Sequence, residues 1–378
     1  MSPDTAIRLR SVEAFVFRCP IDTPVRTSFG VMTDRPAVLV RVVDDDGIAG
    51  WGEAWCNFPT VGAEHRARLV HSVLAPLAEG RRFDSPAALF AHLSERTAVL
   101  AIQSAEPGPI AQSIAGVDIA AWDLLARRHA TPLWRLLGGR SGDVEVYASG
   151  LNPDAPERLA AARHDEGHRR FKLKVGFGRE RDLRNLAALR DALGTSAALM
   201  VDANQAWELE EAEAMLPALR DFDLQWLEEP LRADRPWAHW LRLRELSPIP
   251  LAGGENIAGE AAFATALATG ALGVVQPDVA KWGGFSGCLP VARAILAAGR
   301  RFCPHYLGGG VGLLASAHLL AAAGGDGWLE IDANPNPLRE RLCGPLGGIR
   351  GGRASLGSAP GLGIEPDPQE LAVWRRAF

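Results

Sequence analysis

A polar residue closes each of a series of short apolar runs in the second half of the chain, and these residues recur at nearly constant intervals. In order they are Lys172 with Lys174, then Asp202, Glu228, Glu255, Asp278, His305 and Glu330. From Lys174 onward the intervals are 28, 26, 27, 23, 27 and 25 residues. One strand, one helix and two short connections need about that length of chain. The row therefore predicts a parallel barrel with these residues at its C-terminal rim, where catalytic groups collect. Unrelated strand-end caps are the alternative interpretation.

Eight strand-like runs support the barrel, and amphipathic helices such as RDLRNLAALRDAL lie between them. The runs cover residues 144–149, 170–175, 197–202, 223–228, 250–255, 273–277, 301–304 and 327–331. A doubly wound sheet also alternates strands and helices, but eight units without a dinucleotide-binding glycine signature favour closure. We expect an α/β fold: a (β/α)7–8 TIM-like barrel over residues 131–345.

The first 130 residues have a different organisation and predict a separate α+β capping domain. Alternating runs at 7–18 and 37–47 and the segment IAGWGEAW read as three strands, and three helical segments follow them. The tail at 346–378 should return to this domain through a short helix in PQELAVWRRAF. We assign the capping domain a supporting role because it lacks the polar row.

Composition narrows the class of protein. The chain has 378 residues, a net charge of −5 and a pI of about 6.0, so no general basic surface for nucleic acid or membrane is expected. Five cysteines without a CxxC pair argue against zinc and against a disulfide framework. Without a secretory signal or a long apolar run, a cytoplasmic location is expected.

Two glycine-rich stretches are candidate ligand sites. GFGRER at 176–181 resembles a nucleotide fingerprint only loosely, because arginine stands where the last glycine should be. LGGGVGLL at 307–314 can hold an anion at a helix start. The competing interpretation of both stretches is a flexible loop.

Three acids of the row, Asp202, Glu228 and Glu255, end consecutive strands. Neighbouring strand ends lie roughly 5 Å apart, so the three carboxylates would repel one another and raise each other's pKa. A divalent cation removes this conflict, and an oxygen-only ligand set favours Mg²⁺ over zinc. The alternative is that each acid caps the following helix.

The remaining members of the row supply groups for proton transfer. Lys172 and Lys174 are two residues apart, so both should face the barrel interior, where a lysine near other cations can act as a base. Asp278 on one imidazole nitrogen of His305 would raise the basicity of the other. Glu330, if protonated, would donate a hydrogen bond to the substrate.

The motifs FKLKVG, VDANQAW, LEEP, GGEN, QPDVAKWGG, PHYLGGG and WLEIDANPNPL, in this order, resemble the enolase superfamily and its mandelate racemase subgroup. The resemblance implies Mg²⁺ on Asp202, Glu228 and Glu255. It further implies Lys174 and His305, the latter paired with Asp278, as bases on opposite faces of the substrate.

The resemblance also implies roles for Lys172 and Glu330. Lys172 would neutralise the substrate carboxylate or tune Lys174, and Glu330 would be the hydrogen-bond donor.

Two positions separate the chain from neighbouring subgroups. Asp278 stands where muconate-cycloisomerase-like members have a catalytic lysine, and Lys281 does not match that position. Asn204 stands where galactonate-dehydratase-like members place an acid histidine.

By the same resemblance, loops of the capping domain close over the barrel mouth. Expected substrate contacts are Asn204, Asn57, Phe29, Trp55 and Tyr147, with Phe58, Arg26 and His65 as further candidates. A homo-oligomer, from dimer to octamer, is expected.

The implied first step is abstraction of the α-proton of a small carboxylate substrate to give an enolate. Loss of a β-hydroxyl from a sugar acid, giving a 2-keto-3-deoxy acid, is the leading second step. Racemisation, epimerisation or cycloisomerisation through the same enolate is the alternative. A non-catalytic carboxylate-binding barrel is the alternative from another class.

Overall fold

The computed structural model describes residues 4–27 and 30–378, which form an N-terminal sheet-and-helix region followed by a parallel barrel. Phe29, one of the predicted substrate contacts, lies outside the described residues. Within those two ranges, no helix has both the length and the apolar character needed to cross a lipid bilayer.

The N-terminal region contains the predicted strands followed by helices. Its elements are β1 (Ile7–Arg26), β2 (Val31–Asp44), β3 (Ala49–Ala54), α1 (Gly62–Leu69), α2 (Ala75–Ala78), β4 (Arg82–Phe83), α3 (Pro86–Gln103), α4 (Pro107–Arg128) and α5 (Leu133–Leu136). A π-helical turn at Val70–Leu74 joins α1 to α2. Local chemistry sets the start of α3: the Ser85 hydroxyl accepts the Ala88 N–H at 3.1 Å, and Pro86 occupies the first turn.

The barrel strands follow the intervals of the polar row. They are β5 (Asp143–Leu151), β6 (Arg170–Lys174), β7 (Ala198–Asp202), β8 (Leu224–Glu228), β9 (Leu251–Gly253), β10 (Val274–Val275), β11 (Arg301–Phe302) and β12 (Trp328–Asp332). Hydrogen bonding runs in the order β11-β10-β9-β8-β7-β6-β5-β12, all parallel, so the described residues form a nearly closed eight-stranded barrel. This confirms the predicted fold class.

Helices surround the strands as expected for βα units. They are α6 (Pro156–Asp165), α7 (Arg179–Leu193), α8 (Leu209–Leu219), α9 (Trp237–Leu246), α10 (Glu260–Thr269), α11 (Gly284–Ala297), α12 (Gly310–Ala323) and α13 (Pro337–Leu342). Short 3-10 turns lie at Arg220–Phe222, Gly344–Gly347 and Ala372–Trp374.

Three aromatic side chains fill part of the barrel interior, and we call Tyr147, Trp226 and Trp328 the aromatic floor. The Trp226 ring centroid lies 5.4 Å from that of Tyr147 and 5.4 Å from that of Trp328. Lys172 Nζ lies 5.5 Å from the Tyr147 ring centroid. The floor therefore encloses the lower end of the charged row in apolar surroundings.

The C-terminal tail returns to both parts of the molecule as strands. Here β13 (Arg353–Ser355) pairs with β5, and β14 (Arg375–Arg376) pairs with the open edge of β1. The prediction of a short terminal helix is wrong: a 3-10 turn at Ala372–Trp374 and then β14 occupy this segment. An unpaired strand edge offers backbone hydrogen bonds to the tail, and the Arg375 guanidinium lies 5.2 Å from the Phe15 ring centroid.

Candidate active site

The two lysines of β6 lie side by side but face different surroundings. Lys174 pairs in register with Asp202 of β7, and its Nζ lies 2.5 Å from Asp202 Oδ2. Lys172 is fully enclosed and contacts Glu228 and, at 2.7 Å, Glu330. Burial lowers the pKa of Lys172, but those two carboxylates outweigh it and hold the pKa well above its usual value.

This placement separates the two roles that the resemblance implies for Lys172. Its side chain has no exposed surface with which to meet a substrate carboxylate. It does lie 3.8 Å from Asp202, the partner of Lys174. An influence on Lys174 through Asp202 is therefore the role compatible with the geometry.

The three predicted metal ligands converge from consecutive strands. Asp202 pairs in register with Glu228, and Glu255 follows the end of β9. The backbone N–H of Asn204 donates to Asp202 at 2.8 Å. Glu228 accepts hydrogen bonds from the indole of Trp226 at 3.0 Å and from the amide of Gln276 at 2.6 Å. Burial is the main cause that raises the pKa of Glu228 to about 7.

His305 lies between two carboxylates. Its Nδ1 is 2.7 Å from Asp278 Oδ2, as the sequence predicts, and its Nε2 is 2.5 Å from Glu255 Oε2. Burial lowers the pKa of His305, but Glu255 and Glu330 outweigh that effect and raise it well above the usual value. The raised pKa favours the protonated imidazole, which can donate from both nitrogens.

Glu330 acts as an acceptor in this arrangement. The hydroxyl of Ser149 donates to it at 2.5 Å, and the backbone N–H of Tyr306 donates at 2.9 Å. Burial opposes ionisation, but Lys172 and His305 prevail and lower the pKa of Glu330 to about 2. The predicted donor role needs a protonated carboxyl, which this charge arrangement disfavours.

One cavity of about 210 Å³ brings much of the predicted site together. The predicted residues that line it are Lys174, Asn204, Glu255, His305, Trp55, Asn57 and Phe58. Tyr147 does not reach it, because its side chain is fully buried in the aromatic floor. A larger cavity of about 750 Å³ lies at the opposite barrel end around Arg170, Arg301 and Trp328, away from every predicted site residue.

Several residues that shape the site were not predicted. Glu229 is buried beside Asn256, which donates to it at 2.8 Å, and burial together with Glu255 raises its pKa well above the usual value. Lys281 Nζ lies 3.3 Å from Glu255 and 4.8 Å from the Trp55 ring centroid. The doubled acid in LEEP and the polar residue in GGEN were the available signals for Glu229 and Asn256.

Backbone conformation also marks this rim. Asn204, Gln205 and Glu229 have φ of 43°, 65° and 37°, in the left-handed region that non-glycine residues seldom adopt. The Gln205 N–H donates to the Glu229 carbonyl at 2.7 Å, which ties the two strained turns together. Such strain is concentrated at functional sites in proteins.

Family models match almost the whole chain. The model described as "Mandelate racemase / muconate lactonizing enzyme, N-terminal domain" matches residues 11–138, and "Enolase C-terminal domain-like" matches residues 155–370. The chain belongs to the enolase superfamily. With the related structures below, the matches place it in the mandelate racemase subgroup, as the motifs indicated.

Relatives in the enolase superfamily cover the full length of this chain. A D-galactarolactone cycloisomerase from Agrobacterium fabrum is 32% identical over 98% of this chain and 99% of its own. A mandelate racemase/muconate lactonizing enzyme structure from Bordetella bronchiseptica is 58% identical with a TM-score of 0.93, covering 98% of this chain and 99% of its own. Other relatives are dehydratases, cycloisomerases and racemases, so the family relationship supports an enzyme.

An enolase from Bradyrhizobium, solved with magnesium and mandelic acid, is 30% identical with a TM-score of 0.86 and covers all of both chains. Use of Mg²⁺ is general in the superfamily. Among the residues described for this chain, no three His, Cys, Asp or Glu side chains are already arranged as a metal shell. Instead, Asp202, Glu228 and Glu255 each contact a lysine or His305.

The charge of the site nevertheless fits a divalent cation. Its buried and nearly buried acids are Asp202, Glu228, Glu229, Glu255, Asp278 and Glu330. Its basic side chains are Lys172, Lys174, Lys281 and His305. Six acidic side chains thus lie among four basic ones, and carboxylate oxygens are the ligands that Mg²⁺ prefers. The residues present therefore fit the ion that the family uses.

Proposed function

We propose that this protein catalyses Mg²⁺-dependent abstraction of the α-proton from a sugar acid, followed by loss of the β-hydroxyl to give a 2-keto-3-deoxy acid. One observation carries the proposal: Lys174 and His305 reach the same cavity from β6 and from the loop after β11, together with Glu255. Two proton-transfer groups of different chemistry thus face one small volume.

Lys174, His305 and the three carboxylates have different roles in this reaction. Lys174, held at 2.5 Å by Asp202, is placed to take or return a proton at the α-carbon. His305, held by Asp278 and with a pKa raised by the carboxylates around it, is placed to give a proton to a departing hydroxyl. Mg²⁺ bound by Asp202, Glu228 and Glu255 would supply Lewis-acid stabilisation of the substrate carboxylate.

The cavity lining supports a polyhydroxylated substrate. The side chains of Asn57, Asn204, Gln205 and Asn256 line it, and their amides can donate to and accept from hydroxyl groups. Trp55, Phe58, Met32 and Leu307 complete the wall and limit access of water. A sugar acid has a carboxylate at one end, which suits the predicted Mg²⁺ site. It also has hydroxyls along its length, which suit the amides of the lining.

A cycloisomerase is the second candidate, and the 32% identity with the D-galactarolactone cycloisomerase over 98% of this chain favours it. In that case the group leaving the β-carbon is a ring oxygen rather than a hydroxyl. The same two side chains are placed to serve both reactions. A purely binding barrel explains the acids but leaves both proton-transfer groups at the cavity without a role.

The test is a panel of sugar acids and sugar-acid lactones incubated with the Mg²⁺-loaded protein in D₂O. We expect deuterium at the α-carbon, and a semicarbazide-reactive 2-keto acid from the true substrate. Lys174→Ala and His305→Asn should each reduce product formation by about 10²-fold or more, since each removes a proton-transfer group. Arg184→Ala, at an exposed site on α7, is the control. Binding without α-exchange in any member of the panel would favour the non-catalytic barrel.

A further inference from the structure

Two buried carboxylates of the N-terminal region cross to the barrel and meet the starts of consecutive helices. Glu53 on β3 accepts the N–H of Gly309 at 2.6 Å and that of Gly312 at 2.9 Å, at the start of α12. Asp118 on α4 accepts the N–H of Ser286 at 3.1 Å and its hydroxyl, at the start of α11. Glu53 is 2% exposed and Asp118 is 1% exposed.

Both helices lack a cap of their own. The residues before them are Gly309 and Gly283, which have no side chain to accept the free N–H groups of the first turn. A carboxylate is the best group at this place, because it accepts those N–H groups and is favoured by the positive end of the helix dipole. The acids that a helix usually carries locally are supplied here across 168 and about 256 residues of sequence.

Glycine at the contact points leaves room for this approach. A Cβ on Gly309 would lie 2.5 Å from Glu53 Oε1, and a Cβ on Gly284 would lie 2.2 Å from Asp118 Oδ2. The glycines of LGGGVGLL and KWGG thus admit a carboxylate from another part of the chain. The anion expected at 307–314 is therefore the protein's own Glu53.

The two capped helices follow Asp278 and His305, the hydrogen-bonded pair that we call the dyad. Residue 310, where α12 begins, is five residues after His305, and residue 284, where α11 begins, is six after Asp278. The segment next to Glu53 holds the same two loops: the Trp55 N–H donates to the Ala280 carbonyl at 3.2 Å, and the Asn57 amide donates to the Leu307 carbonyl at 2.6 Å. Lys174 is held separately, from within the barrel, by Asp202.

We propose that Glu53 and Asp118 are positioning residues for the Asp278–His305 dyad, and that they set its geometry by capping α12 and α11 from the N-terminal region. The capping acids touch neither the cavity nor the metal ligands. Their removal therefore weakens proton transfer on the His305 side and leaves the Lys174 side largely intact. The predicted effect on catalysis rests on the proposed function, whereas the effect on loop order does not.

The first experiment measures backbone hydrogen–deuterium exchange by mass spectrometry in the full-length protein. Glu53→Gln should speed exchange in peptides covering residues 303–313, and Asp118→Asn should speed it in peptides covering 278–287. Neither should alter peptides covering 170–176, which contain Lys174. Unchanged exchange in the two loops would overturn the proposal, whatever the protein's activity.

The matched control is Asp123→Asn. Asp123 is also a buried acid of α4, but it accepts the N–H groups of Trp51 at 2.8 Å and Leu362 at 2.6 Å, away from both dyad loops. It should leave exchange in the dyad loops at the wild-type rate. If Glu53→Gln does not fold, Glu53→Asp, which keeps the charge on a shorter side chain, should give a smaller change at 303–313.

The second experiment follows deuterium uptake at C2 from D-galactonate and from its C2 epimer, D-talonate. The epimers present the α-proton to opposite faces, so the His305 and Lys174 sides are read separately. Glu53→Gln should slow one epimer by about 10- to 100-fold and the other by less than about threefold. Equal losses for both epimers would overturn dyad positioning. No uptake by the wild type from either epimer or from any acid of the panel would count against the proposed function and leave the first experiment decisive.

Discussion

The ammonium of Lys172 lies 2.7 Å from a carboxylate oxygen of Glu330, and the barrel encloses both side chains completely. The same ammonium contacts Glu228, and the Tyr147 ring lies below it. Two acids from opposite sides of the barrel thus share one cation that water cannot replace.

Lys172→Met should lower the free energy of unfolding by about 3–5 kcal/mol, because it leaves buried carboxylates without their partner. Urea denaturation measures the loss. Arg242→Met is the control, since it breaks an exposed pair with Glu213 and should cost less than about 1 kcal/mol. Equal costs for the two variants would contradict a buried charge network.

Mg²⁺ should raise the melting temperature of the wild type but not that of Glu228→Gln. Binding to the folded state at 100 times the Kd contributes about 2.7 kcal/mol. Glu245→Gln replaces an exposed acid of α9 and should keep the wild-type shift. Thermal denaturation with and without Mg²⁺ measures the shift in melting temperature. An equal shift in Glu228→Gln would rule out the predicted ligand set.

His318 should make stability depend on pH. It is buried in α12, its Nδ1 accepts the Trp134 N–H at 2.9 Å, and burial lowers its pKa to about 3. The unfolded pKa is about 6.5, so this stability is present above pH 6.5 and is lost towards pH 3, by about 1.4 kcal/mol per unit.

Replacement of His318 by glutamine should remove this dependence. The stability difference between wild type and His318→Gln should therefore shrink between pH 6.5 and pH 5 in urea titrations. Ser316→Ala, at a buried position on the same helix that does not titrate in this range, should follow the wild type. A stability difference that stays constant with pH would contradict the prediction, because it would mean that His318 has the same pKa in the folded and unfolded states.

Asn57→Ala should raise KM about tenfold for the acid turned over in the panel, with a smaller change in kcat. The side chain lines the cavity and fixes the loop after His305 through Leu307. One lost hydrogen bond of about 1–1.5 kcal/mol accounts for that factor. Asn185→Ala loses the same kind of bond, to the Pro153 carbonyl at 2.9 Å, far from the cavity. A similar KM change in both variants would contradict the prediction.

The strand-end row was readable from the sequence because a parallel barrel imposes one interval on the whole chain. Asp202 and Glu228 therefore lie in register on neighbouring strands, and Asp278 meets His305. The direction in which a strand side chain points was harder to predict from the sequence. Tyr147 precedes the rim on β5 and turns into the aromatic floor, where Trp226 and Trp328 provide apolar contacts.

The contacts that buried acids of the N-terminal region make with the barrel helices could not be predicted. Glu53 meets Gly309 across 256 residues, and no local pattern encodes so distant a partner. A lone acid inside the apolar strand IAGWGEAW was the available signal, because a buried carboxylate requires hydrogen-bond donors. The contact of Glu255 with His305 was likewise invisible, since both belong to loops beyond their strands.

Trp226 donates its indole N–H to Glu228 at 3.0 Å, with the rings of Tyr147 and Trp328 on either side. In apolar surroundings the field of a nearby charge is weakly screened, so the emission of this indole should follow the charge on Glu228. The chain has 11 tryptophans, and a difference spectrum against Trp226→Phe isolates this one. Trp226 should therefore report, without any added dye, when a cation binds at the centre of the barrel.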